Sequence, residues 1–68
     1  MKVKILLKEI RTKKNISLRK LENMTGISKS HLNYIENNEK EPTISILVRI
    51  ALALDVDINE LIKIEREM

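Results

Sequence analysis

Cysteine, tryptophan and phenylalanine are absent from this sequence, and glycine, proline, tyrosine and histidine occur once each. Without cysteine there are no disulfide staples and no thiolate metal sites. A single glycine, Gly26, rules out a glycine-rich phosphate loop. The lone histidine, His31, lacks the serine, cysteine or carboxylate spacing of a nucleophilic or metal-binding centre. It reads instead as a helix residue packing on its neighbour or standing at the rim of a binding face. No enzymatic activity, metal or cofactor is expected. The longest apolar runs, such as Ile50-Ala51-Leu52-Ala53-Leu54, are too short to cross a bilayer. The opening Met1-Lys2-Val3-Lys4 is not followed by a signal-type apolar stretch, so a cytoplasmic protein is expected.

The 68 residues give room for one domain, spanning 1–68. Formal charge is only +3, but it is unevenly spread. Residues 1–34 carry nine Lys/Arg against two acids, Glu9 and Glu22, whereas residues 35–68 carry four against eight. The first half suits a polyanion and the second does not, although solvated helix faces also collect lysines.

Apolar residues recur at three- and four-residue steps, and no alternating strand pattern is read, which predicts an all-α fold of five helices. Helix one is expected over about 2–14, with Val3, Leu7 and Ile10 on one stripe and Asn15 closing it in a left-handed conformation. Ser17 caps helix two, which faces inward through Leu18, Leu21 and Met24 and ends at Gly26. Ser28 caps helix three, over about 29–37, with Leu32 and Ile35 inward. Thr43 caps helix four, whose Ile44, Leu47, Ile50, Ala51 and Leu54 are spaced for the core and which Asp55 closes. Asp57 and Glu60 form a capping box opening helix five, which runs through Leu61, Ile62 and Ile64.

Two short capped helices separated by Gly26 have the spacing of a helix-turn-helix, in which the second helix enters the major groove. The pattern extends further. Leu7, Ile10 and Arg11, then Ser17, Leu21, Gly26, Ile27 and Ser28, then Leu32, Ile35-Glu36-Asn37, Pro42 and Ile50-Ala51-x-Ala53-Leu54-x-Val56 together resemble the phage-repressor and Cro-like (XRE) family of regulators. The resemblance runs from about Leu7 to Leu61. It implies a lambda-repressor-like, compact five-helix bundle that binds double-stranded DNA.

With Leu32 and Ile35 turned inward, Lys29, Ser30, Asn33, Tyr34 and Asn37 must face out. The resemblance implies that such positions read bases and grip the flanking backbone. Lys29 suits guanine O6/N7, and Ser30 and Asn33 suit base edges, Asn33 adenine in particular. Tyr34 offers a hydroxyl to phosphate or its ring to a thymine methyl. Backbone contacts are expected from Ser17 with the N-terminus of helix two, and from Arg19, Lys13, Lys14, Lys40 and Asn37. Arg11 and Glu36 match positions that pair helix one with helix three in a structural salt bridge.

Three residues depart from the family. Leu18 stands where glutamine is usual and cannot hydrogen-bond DNA with its side chain. Glu22 replaces a tightly packed alanine, and is expected to lean outward or pair with a cation such as Arg19, because a buried unpaired carboxylate is costly. Asn38 replaces glycine and is expected to take the same left-handed conformation.

The resemblance further implies a repressor that binds a palindromic operator as a homodimer, nucleoid-associated when bound. Its two reading helices are then about 34–36 Å apart. Val56, Ile58, Ile62 and Ile64 offer apolar surface for the two-fold contact, with Leu61 completing the core. The other reading keeps the fold but makes the chain an antitoxin or protein-docking module with a protein partner, which the acidic second half would suit.

Overall fold

The computed structural model describes residues 2–66. The chain runs β1 (Lys2–Ile5), α1 (Leu7–Lys13), α2 (Leu18–Thr25), α3 (Lys29–Glu36), α4 (Ile44–Leu54), α5 (Ile58–Leu61) and β2 (Ile62–Glu65). Five helices are present as expected, but the all-α reading is corrected by a two-stranded antiparallel ribbon made from the two ends of the described chain. Helix one does not begin at residue 2, and helix five stops at Leu61 before Ile62 and Ile64.

The physical reason lies in the local pattern. Lys2-Val3-Lys4-Ile5 and Ile62-Lys63-Ile64-Glu65 each alternate charged and apolar residues, with β-branched side chains at the apolar positions. Paired in register, Val3 faces Ile64 and Ile5 faces Ile62, while Lys2 stands opposite Glu65 and Lys4 opposite Lys63. A two-stranded ribbon is marginal by itself. Here Ile5 is buried and Ile62 packs against the same core. The Leu6 N–H donates to the Leu61 carbonyl at 2.7 Å, joining the start of α1 to the end of α5.

Local sequence sets the helix limits. Ser17 and Thr43 accept from the N–H groups of Lys20 and Ile46, at 3.0 and 3.2 Å. The Glu60 carboxylate accepts the Asp57 N–H at 2.8 Å. Asn15, Asn38 and Asp55 all take positive φ, at 57°, 59° and 55°, as does Gly26 at 75°. Around Leu7, Leu21, Leu32, Ile35, Ile50, Leu54 and Leu61, all fully buried, one core forms.

Two residues expected to face inward do not. Met24 is 45% exposed, because Thr25 takes the buried place at the end of α2. The Thr25 hydroxyl donates to the Leu21 carbonyl and accepts the Ile27 N–H, which satisfies it in the interior. Ile44 is 75% exposed; with Val48 and Leu52 it forms a second stripe on α4, beside the buried one of Leu47, Ile50, Ala51 and Leu54. Among the described residues, no helix is long and apolar enough to cross a membrane.

Candidate nucleic-acid interface

The α2–turn–α3 unit is built by short-range hydrogen bonds. Gly26 ends α2 with its N–H on the Glu22 carbonyl. Its positive φ is needed for the tight turn, and a Cβ there would lie 3.1 Å from Nη2 of Arg49. Arg49 is a residue the sequence did not single out; its guanidinium donates to the Thr25 carbonyl, bracing the turn from α4. Ile27 is buried, and Ser28 starts α3 by accepting the His31 N–H at 3.1 Å.

Glu22 meets a main-chain donor rather than a cation such as Arg19, the second of the two outcomes expected for it. Its carboxylate accepts the backbone N–H of Lys29 at 2.8 Å, at the first residue of α3. The charge therefore sits at the positive end of the α3 dipole, where an anion is favoured. Leu18 is half-buried and packs against the core.

Along α3, Leu32 and Ile35 are fully buried and Glu36 is 8% exposed. Lys29, Ser30, Asn33, Tyr34 and Asn37 are all exposed, and helical spacing places them on one arc opposite those anchors. His31 is half-buried at the edge of that arc. The Lys40 ammonium lies 5.5 Å from the centroid of the Tyr34 ring, so the structure brings these two together. Ser17, Arg19, Lys13 and Lys14 are exposed near the α1–α2 turn. The N–H groups of Leu18 and Arg19, in the first turn of α2, have no acceptor within the helix, as at any helix start.

Arg11 and Glu36 are in contact. Arg11 Nε donates to Oε2 at 2.8 Å and Nη2 to Oε1 at 3.0 Å, while Nη1 donates to the Ile16 carbonyl at 2.9 Å. The pair is 15% and 5% exposed. The hydrogen bonding that Arg11 donates to Glu36 raises the guanidinium pKa above its ordinary value, against the opposing effect of burial. One guanidinium thus ties α1, the α1–α2 turn and α3 together.

Of the apolar residues named for a two-fold contact, Val56, Ile58 and Ile62 are half-buried against the core, and Ile64 is 57% exposed. Val3, opposite Ile64 on the ribbon, is 38% exposed. The larger apolar exposure lies elsewhere, at Ile44 and Leu52 on α4. Among the described residues, no group of three or more His, Asp or Glu side chains is placed to hold a metal ion.

A helix-turn-helix family model matches residues 7–61. The HTH-type transcriptional regulator SutR of Escherichia coli K12 is 44% identical over 50 residues, which cover 74% of this chain and 28% of SutR. This chain therefore spans little more than a quarter of that relative. Among solved structures, the restriction-modification controller protein C.AhdI of Aeromonas hydrophila superimposes with a TM-score of 0.76 at 28% identity, over 79% of this chain and 82% of that one. The clp gene regulator ClgR of C. glutamicum gives 0.75 at 26% identity, over 79% and 70%. The N-terminal DNA-binding domain of SinR from Bacillus subtilis gives 0.71 at 35% identity, over 78% of each chain. Matched over most of its length in both sequence and fold, the chain belongs to the XRE-type helix-turn-helix family.

Proposed function

We propose that this protein is a sequence-specific, double-stranded DNA-binding transcriptional regulator that acts in the cytoplasm as a repressor, on a palindromic operator, as a homodimer. The observation that carries the reading is the exposed polar arc of α3, held rigidly from behind by Leu32, Ile35 and the Arg11–Glu36 pair. In the major groove, Lys29, Ser30, Asn33 and Tyr34 meet base edges, with Lys29 on guanine and Asn33 on adenine. Ser17 and the open N–H groups of α2, with Arg19, Lys14, Lys40 and Asn37, hold the phosphates on either side. Lys40 also stands over one face of the Tyr34 ring, 5.5 Å from its centroid. Two copies meet through Val56, Ile58, Ile62 and Ile64, which doubles the contacts a single half-site allows.

A second reading has its own observation. The exposed Ile44, Val48 and Leu52 stripe on α4 supports a role in docking another protein, as in an antitoxin of the same fold.

Selection of bound sequences from a random duplex pool at two salt concentrations tests the reading. A regulator returns a palindrome, and its affinity falls with salt at a slope of about 0.9 for each phosphate contacted. A pool that stays random, with only weak salt-sensitive binding, rejects sequence-specific regulation and favours the docking module.

A further inference from the structure

Asn38 has a backbone conformation that costs a side chain energy, with φ at 59°, and its side chain makes long-range contacts. Oδ1 accepts the Ile5 N–H at 2.8 Å, and Nδ2 donates to the Ile5 carbonyl at 3.4 Å across 33 residues. In an antiparallel pair, the N–H and C=O groups of successive residues alternate between the partner strand and the outer edge. Those of Ile5 point away from β2, so the Asn38 amide stands where a third strand would begin.

The same residue is bound into the end of α3. Its own N–H donates to the Ile35 carbonyl at 3.0 Å, and its Nδ2 also reaches the Glu36 carbonyl at 3.4 Å. The next N–H, of Glu39, donates to the Tyr34 carbonyl at 2.9 Å. The outer edge of the ribbon and the last turn of α3 are therefore one hydrogen-bonded unit. That turn carries Tyr34 and leads to Asn37 and Lys40. The front of α3 is fixed independently, by Glu22 and Ser28.

We propose that Asn38 is a positioning residue for DNA recognition, coupling the terminal β1–β2 ribbon to the C-terminal turn of the reading helix. The inference rests on the reading of α3 as the DNA-contacting helix. Coupling of this kind is reciprocal: if an ordered ribbon favours DNA binding, then DNA must order the ribbon by the same factor.

The test is amide hydrogen exchange at Ile5, free and with the best duplex from the selection, alongside affinity for that duplex, in the wild-type protein and N38G. Glycine keeps the left-handed conformation without strain, so the variant removes the amide clamp and leaves the backbone able to fold. The expected result is a loss of duplex affinity of roughly fivefold in N38G, as for one or two lost hydrogen bonds. The duplex is expected to slow Ile5 exchange in the wild type by a similar factor. A second variant, N38D, keeps an oxygen to accept the Ile5 N–H, and is expected to retain most of the Ile5 protection. Either unchanged affinity in N38G or wild-type Ile5 exchange indifferent to the duplex overturns the proposal. A wild-type protein that selects no duplex fails earlier, at the proposed function itself, and takes this inference with it.

Discussion

Arg11 meets Glu36 side by side, through two parallel hydrogen bonds of 2.8 and 3.0 Å, while its third nitrogen holds the Ile16 carbonyl. A planar fork fills all three roles at once, which an ammonium cannot. Removing either partner strands a buried charge, so R11A or E36A is expected to cost about 3–5 kcal/mol in urea unfolding. R11K is expected to recover only part of that loss. The raised guanidinium value makes this stabilisation full below the unfolded-state value. It is lost on the alkaline side as pH climbs through the folded-state value, so neutral and mildly alkaline pH leave it intact.

Glu22 adds a second cap to α3 from a neighbouring helix, beside the one Ser28 supplies. Loss of a capping acceptor costs about 1 kcal/mol, and E22A is expected to lose that much in thermal or urea unfolding. E22Q keeps a side-chain oxygen for the Lys29 N–H but loses the charge at the helix start, and is expected to lose about 0.3–1 kcal/mol. Equal losses in the two variants mean that charge at the helix start, rather than the hydrogen bond, is what matters.

Ile64 offers the most exposed apolar side chain of the four proposed for the two-fold contact, at 57%. I64E therefore disturbs a monomer little, and is expected to shift sedimentation velocity from dimer to monomer. L52E, at a residue 76% exposed on α4, is expected to leave the dimer intact. The reverse pattern moves the contact to the α4 stripe.

Much of the fold is legible because it is encoded within a few residues. Ser17, Ser28 and Thr43 mark helix starts with hydroxyls, and Asn15, Asn38 and Asp55 take the left-handed conformation their short polar side chains tolerate. The ribbon is harder to read, since Val3 and Leu7 fit a helical stripe as well as Val3 and Ile5 fit a strand. What decides between them is Ile62 and Ile64, at the other end of the sequence. The alternation in Ile62-Lys63-Ile64-Glu65 is itself a strand signal, and weighing both ends together would have found the pair. At the interface, the outward arc of α3 follows from where Leu32 and Ile35 must go. The partner of Glu22 does not, because a backbone N–H seven residues away leaves no trace in side-chain chemistry. Nor does sequence mark Arg49, whose acceptor is also a main-chain carbonyl.

Lys2 stands opposite Glu65, whereas the helices meet partners one or two elements away in sequence: α2 with α3 and α4, α4 with α5, α1 with α3. Contacts between near neighbours in sequence cost little entropy to close, and contacts between distant ends cost more. The helix-turn-helix has what it needs to assemble while the ends are still apart. Closing the ribbon then waits on a scaffold that already holds its two strands near each other. By the entropy of loop closure alone, such a domain is expected to bring its helices together before β1 meets β2.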